Sequence, residues 1–390
     1  MFVGLVDGHA LKALPDVIHT PQVHVGPSLQ IVYYFLVFQG WTFIGGGPAG
    51  HRSWGSRIYK YCLELAPDWT QLEDVSGIDF TAASFLSWIA VENFDRKNAW
   101  KAHCQASHLA FKMGLDQYEQ HPDPDDDGWV AENKRVMFWQ LLFSECTFRI
   151  FYNKPAIITA QPWHVNLPTK AIAAAKDKSD ASMATSLMVS TRLSLVILES
   201  FSILDNGDLT LAQVRQGLDK CVQDVVGILS DWKLGESIND AGPSIERWLY
   251  ADVYIYGHSL IVFWERKIGE LGHSGPSQMA IESSRIVLGT ILKVSDGDVH
   301  QDHNMIYTGS VALISFYPML AFFHLYNLIL SDVDGETSEL DARLLESFAH
   351  IMLQGVRARG LDDVMPFAES IYQMTTKDGR FGNASPAMSL

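Results

Sequence analysis

Apolar residues recur every three to four positions along almost the whole chain, and the alternation that marks a half-buried strand is scarce. The spacing predicts helices over 28–44, 51–66, 79–93, 96–114, 130–152, 170–203, 209–234, 245–271, 278–295, 304–330, 338–358 and 364–376. Asp79, Ser244 and Asn304 stand where an N-cap side chain accepts from the first turn. Gly114, Gly235 and Gly272 suit helix ends, and Gly275-Pro276 blocks continuation past the last of these. A polar loop runs from His121 to Gly128, and Pro155, Pro162 and Pro168 mark a second break. No repeat and no long linker interrupts the pattern. The expected fold class is therefore all-α: a multi-helix domain over 28–380, an N-terminal extension over 1–27 and a tail over 381–390.

Composition narrows the picture. The 390 residues carry 45 acidic against 29 basic side chains, a formal charge of −16, which opposes contact with nucleic-acid phosphates. Charged residues make up 19%, below the roughly 25% of an average soluble domain, so more of the chain than usual faces inward. Cys62, Cys104, Cys146 and Cys221 are isolated and lack the short spacings of a structural zinc site. They read as free thiols in a reducing compartment. The start of the chain lacks the basic-then-apolar order of a signal peptide, so a cytoplasmic location is expected. Residues 305–330 contain no Asp, Glu, Lys or Arg, and 26–50 are similarly uncharged. Pro318, scattered polar residues and the lack of flanking Lys or Arg clusters favour buried core helices over membrane spans.

Between 96 and 168 the residues form a recognisable order. Arg96 to Trp100 leads into a helix with Ala106 and Ala110 that closes on Gly114-Leu115. An acidic loop follows, then Glu132, Lys134, Arg135, Phe138 and Trp139, a turn at Asn153-Lys154-Pro155, and Asn166-Leu167-Pro168. This stretch resembles the regulatory middle region of fungal zinc-cluster transcription factors, and the resemblance implies an all-α body. The sequence departs from that pattern at Cys104, His108, Glu145, Cys146 and Asn153. The given residues also lack the family's six-cysteine cluster; if Met1 is the natural start, the family's usual means of holding DNA is expected to be missing. A weaker resemblance, resting on size, the missing head and apolar helices, is to fungal hetero-Diels–Alderases of tropolone–sesquiterpenoid biosynthesis.

The residues offer two aromatic helices for such chemistry. In the first, Tyr254 and His258 are an i, i+4 pair that shares a face with Tyr250, while Asp252, Tyr256 and Ser259 lie near another face. His258 is the candidate acid or base, with Tyr254 and Tyr307 as catalytic partners. Trp248, Tyr250, Arg149, Tyr317 and His324 are candidate substrate contacts, Arg149 as the anchor of an anionic tropolonate. Glu145 and Arg149, again i, i+4, are expected to form an ion pair. Asp123, Asp125, Asp126 and Asp127 superficially match a terpene-cyclase metal motif, but Pro122 and Pro124 break the helix such a motif needs, so a solvated loop is expected. Gly45 to Gly50 lacks the Lys-Ser/Thr of a phosphate loop and reads as a turn. The expectation is a cofactor-free, metal-free cycloaddition between a quinone-methide polyketide and a humulene-type sesquiterpene. The alternative is the ligand-sensing or dimerising domain of a regulator without its zinc cluster. Partners are an apolar small molecule, no nucleic acid, no membrane span, and a homodimer as an open option.

Overall fold

Helix is the only regular structure among the described residues, as the apolar spacing predicts. The computed structural model describes residues 8–18, 20, 22–44, 54–122, 124, 126, 128–170, 178–242, 244–272, 277–295, 303–317, 319–331 and 338–376. In chain order the α-helices are Gly8–Ile18 (α1), Pro27–Ile44 (α2), Trp54–Leu65 (α3), Gly77–Glu92 (α4), Arg96–Lys112 (α5), Gly128–Tyr152 (α6), Lys178–Leu204 (α7) and Leu211–Asp231 (α8). Leu234–Asp240 (α9), Ile245–Gly272 (α10), Gln278–Ser295 (α11), His303–Phe316 (α12), Leu320–Ser331 (α13), Ser338–Arg359 (α14) and Met365–Thr375 (α15) follow. Helix α1 falls within the stretch expected as an extension; it packs on α2 and buries Leu14. The tail over 381–390 and the Gly45–Gly50 turn lie outside the described residues.

Several helix ends differ from expectation for identifiable reasons. Ser76, not Asp79, caps α4; Asp79 is the third helical residue and returns a bond to the Ser76 N–H, completing a capping box. Ser244 does meet the first turn of α10, accepting from the Arg247 N–H at 3.5 Å. Helix α12 begins at His303, so Asn304 lies inside it. Gly114 adopts a left-handed φ of 66° after α5, as a helix-ending glycine should. Gly235 does not end a helix: Lys233, with φ 47°, makes that turn, and Gly235 sits in α9, where a Cβ would come within 3.3 Å of the Tyr254 hydroxyl. The largest difference is the expected helix 304–330, which is two helices, α12 and α13, bent by 77°. The proline at position 318 has no N–H to continue the ladder.

Length and apolarity alone would let one helix among the described residues, over Asp180–Leu204 in α7, cross a membrane. Its hydroxyls bond back to its own turns, as Thr191 does to Leu187 O and Ser194 to Ser190 O, so polar side chains are carried inside a helix packed against α6, α8 and α10.

The apolar side chains divide into two cores. One is built from α2 to α6 and includes Phe38, Trp69, Phe80, Leu109 and Trp139. The other gathers α7 to α15 and includes Leu193, Val225, Tyr256, Trp264, Phe322 and Met352. Helix α6 supplies residues to both, with Phe138 and Trp139 in the first and Phe143 and Cys146 in the second. Helix α12 also crosses between them, packing on α2 and α4 on one side and on α11 and α14 on the other.

The segment that follows α6 is tied down by one carboxylate. Glu145, fully buried, accepts from the backbone N–H groups of Ile157, Ile158 and Thr159 at 3.0, 2.6 and 3.0 Å, and from the Thr159 hydroxyl at 2.6 Å. Trp139 Nε1 donates to Asn166 O at 2.8 Å, and Arg135 holds Glu119 at 2.6 Å. Glu145 and Arg149 do not form the expected ion pair. Arg149 reaches Glu145 only through the Thr159 hydroxyl, and its guanidinium pairs with Asp205 at 3.3 Å and lies over the Phe201 ring at 3.6 Å. A carboxylate that captures three N–H donors has no geometry left for a fork. In the acidic loop, Asp126 is not solvated; it pairs with Lys134 at 2.6 Å and accepts from the Tyr118 hydroxyl. Asp123, Asp125 and Asp127 lie outside the described residues.

A buried ion pair bridges the two cores. Glu92 ends α4 and Arg359 ends α14; Nη1 of the arginine is 3.5 Å from the carboxylate, and Arg359 is 1% exposed. Gln39 of α2 donates to the same carboxylate at 2.6 Å, and the guanidinium lies 4.9 Å above the Phe38 ring. Burial pushes the Glu92 carboxyl above its usual range, and the arginine's charge acts against that rise. Removing one partner strands the other charge. Arg359→Ala should cost about 3–5 kcal/mol in urea unfolding, while the double replacement Glu92→Leu with Arg359→Met should recover most of it. A loss below about 1 kcal/mol for Arg359→Ala would show that the pair does not hold the cores together.

Candidate functional site

Helix α10 is enclosed on nearly every side. Val253, Ile255, Tyr256, Leu260, Ile261 and Trp264 are all fully buried. Its polar and aromatic residues consequently sort to different neighbours. Tyr254 and His258 face α9 and α11. Their rings meet edge to face at 4.6 Å, the Tyr254 hydroxyl lies over Gly235, and His258 Nδ1 is 3.2 Å from the Ser283 hydroxyl. Burial lowers the His258 pKa to about 4, so the imidazole is neutral at physiological pH and already engaged. Trp248 packs onto α12 at Gly309, where an added Cβ would come within 3.2 Å of the indole.

The face one turn round carries different chemistry. Tyr317, just past the end of α12, donates to the main-chain oxygen of Asp252 at 3.0 Å and to its carboxylate. The Tyr317 ring contacts the Tyr256 ring at 5.6 Å, and Phe151 and Phe143 pack against Tyr256 from α6. Tyr256 in turn meets the Thr147 hydroxyl of α6 at 3.3 Å. Thr147 lines a cavity of about 20 Å³ whose other walls include Ser87 and Trp88 of α4, Phe148 and Tyr152 of α6 and Phe316 of α12. Tyr152 closes its end by donating to Ser315 O at 2.7 Å. A carboxyl group, two tyrosines and a threonine therefore run along the seam between the two cores to a small cavity.

Charge in this row is shifted by its surroundings. The Asp252 carboxyl end is enclosed, and burial, outweighing the Tyr317 hydrogen bond, pushes its pKa up to about 6. Burial, with the Asp252 charge beside it, raises Tyr317 well above the usual phenol range. Tyr256 is raised for the same first reason. A carboxyl that titrates near neutrality, held against a phenol beside a cavity, is able to hold and release a proton out of bulk water.

The residues singled out in the sequence thus fall in several places. Tyr254 and His258 come together, as their spacing implied, but on the face away from the seam. Tyr317 reaches the seam. Tyr307 lies on α12, and its side chain is outside the described residues. Tyr250 is half-buried at the edge of the second core. His324, on α13, has its Nε2 buried without a hydrogen-bond partner and its pKa lowered by burial and by the charge of Arg266. Arg149 is committed to Thr159, Asp205 and Phe201. Sequence reasoning placed Asp252 and Tyr256 near one face without giving them a role, and passed over Thr147 and Tyr152. The i, i+4 spacing of Asp252 and Tyr256 was the available signal. The four cysteines are free thiols; Cys62, Cys146 and Cys221 are buried, and Cys104 is partly so. Burial pushes the Cys62 and Cys221 thiols up to about 12, which suits core side chains and not nucleophiles.

Compared with protein-family models, curated proteins and solved structures, the chain matches none.

The Asp252 shift has a signed consequence for stability. The folded state binds this proton more tightly than the unfolded chain, so the protonated carboxyl stabilises the fold below about pH 4, and that contribution is lost as pH rises to about 6. Urea unfolding should show wild type falling by on the order of 3 kcal/mol across this window relative to Asp252→Asn. Parallel curves for the two proteins would mean that Asp252 is not held as described.

Proposed function

We propose that this chain is a ligand-responsive helical body, of the kind carried by the fungal zinc-cluster regulators that residues 96–168 resemble, and that the seam is where it reads a small apolar molecule. The observation that carries this reading is the row from Asp252 through Tyr317, Tyr256 and Thr147, which ends at a cavity between the two cores. At about 20 Å³ the cavity holds a water molecule or so, and its hydroxyl groups are already bonded. A larger molecule enters only if α12 shifts against α4 and α6. Its binding energy is then spent on the difference between two arrangements of the cores, which is what a sensor needs. A cavity that aligns two reacting partners has to hold space for both.

Fusion of the chain to a heterologous DNA-binding head tests the reading. Reporter transcription in a fungal host should differ several-fold from that of the head alone, and Trp88→Ala, which opens the cavity, should alter that difference at equal protein level. Identical transcription from the fusion and the head would overturn the proposal.

One observation favours the cycloaddition reading as a second proposal. Generating a quinone methide by loss of water needs an acid–base group, and Asp252, paired with Tyr317, is a buried carboxyl poised near pH 6. Incubating the purified protein with a quinone-methide precursor and humulenol should change product yield or stereochemistry relative to buffer, and Asp252→Asn should abolish the change. Products indistinguishable from the buffer control would end this reading.

A further inference from the structure

The cavity at the seam, the outer lobe, shares Ser87, Trp88 and Ser144 as walls with an adjoining inner lobe of about 10 Å³ between α4, α5 and α6. Two polar atoms in the inner lobe lack any partner. Nε2 of His103 and Oγ of Ser84 are each buried without a hydrogen bond, and both residues line the lobe. Buried polar groups are nearly always paired, and a stranded one costs its desolvation in full. His103 is 1% exposed, stacks on Trp100 at 5.3 Å and meets Phe148 at a tilt at 5.0 Å, so its ring is fixed by packing while its Nε2 is left unused.

The walls define what fits. Among the described residues that line the two lobes there is no Lys, Arg, Asp or Glu. Burial lowers the His103 pKa to about 3, so the imidazole brings no charge either. An ion entering here would lose its hydration without compensation. The apolar lining is largely aromatic, from Trp88, Phe80, Phe148 and Phe316, which favours a flat ring as occupant. One hydroxyl group both donates and accepts, so it serves the Ser84 hydroxyl and either tautomer of His103. Trp88 and Phe316 are only half-buried, and their rings meet at 4.4 Å at the outer lobe. Phe316 is the last residue of α12 before the 77° bend.

We propose that the two lobes form one binding site for a neutral hydroxylated aromatic molecule of the phenol class, with its hydroxyl at Ser84 and His103, its ring along Trp88, and the Trp88–Phe316 pair as the gate. With the gate closed the lobes have room for one or two waters. The ligand displaces these and moves Phe316 outward. The proposal names the ligand class for the seam reading and rests on that reading only for its biological use; binding is measured on the purified chain.

Phenol, toluene and benzoate at equal concentrations provide the test. Phenol should raise Tm more than toluene does, and benzoate should leave it unchanged. Ser84→Ala should weaken phenol roughly three- to tenfold, the worth of one hydrogen bond, and leave toluene as it was. If Ser84→Ala does not fold, a crystal of the wild-type chain soaked in phenol decides, with the phenol oxygen expected at the Ser84 and His103 positions. Equal shifts from phenol and toluene, unchanged phenol affinity in Ser84→Ala, or a soaked crystal holding water alone would each overturn the proposal. A phenol shift with a silent transcription reporter removes the regulatory reading and keeps the site; a responsive reporter without a phenol shift does the reverse.

Discussion

The pairing of Glu92 with Arg359 sets the terms for the rest of the molecule. Two apolar cores pressed together without polar features can slide, because apolar contact has no direction. A buried charge pair cannot slide, since separating it by even a turn of helix leaves two uncompensated ions. Glu92 is the last residue of α4 and Arg359 the last of α14, so a single contact at 3.5 Å fixes the ends of one helix from each core against each other. Gln39 adds α2 to the same point. What the pair supplies is chiefly register, because isolated buried ion pairs recover little net stability after desolvation.

Helix α6 extends that register across the rest of the seam. Its first half is locked to the first core by Trp139 and Arg135, and Glu145 pins the returning segment beneath it. From residue 143 onward it serves both cores, with Phe143, Cys146 and Ile150 in the second and Phe148 in the first. Small hydroxyl side chains cluster where the two surfaces meet: Ser144 bonds to Gln140 O, Thr147 to Phe143 O, and Ser87 of α4 to Ala99 O. Each is satisfied locally and takes little volume, so polar groups are buried without unpaired cost and the cores fail to close completely. The cavity follows from this choice of residues, because bulkier apolar side chains at the same three positions would fill it.

Much of this is legible in the sequence, and the rest depends on tertiary contact. Helix positions follow from apolar spacing, so α4, α5, α6, α10 and α11 appear within a few residues of where periodicity puts them. The break between α12 and α13 was visible as Pro318, but a proline alone does not say whether a helix kinks or ends. The site was harder. Helix α10 is apolar or aromatic on almost all sides, and a helix enclosed all round carries no polar stripe to orient it. Tyr254 and His258 were therefore as good a choice as Asp252 and Tyr256 until the neighbours were known. Only tertiary contact separates them: Ser283 and Gly235 occupy the first pair, while Tyr317 and Thr147 join the second to the seam.

The position of Asp252 ties protonation to the fit between the cores. A carboxyl in the middle of either core would have no route by which its charge mattered to anything but stability. This one bonds to Tyr317, which directly follows α12, and α12 is the helix that packs on both halves. When Asp252 ionises, the Tyr317 hydroxyl gains a stronger acceptor while the carboxylate loses hydration, so the two contributions oppose each other at the junction that any occupant of the cavity must also disturb. A ligand bound as proposed would therefore act on the same element as the proton, and whichever arrangement of α12 one of them favoured, the other would meet with an altered affinity. That reciprocity needs no displacement of the helices that form the outer surface. It requires only that the seam be looser than the cores it divides, and the small hydroxyl residues along α4 and α6 make it so.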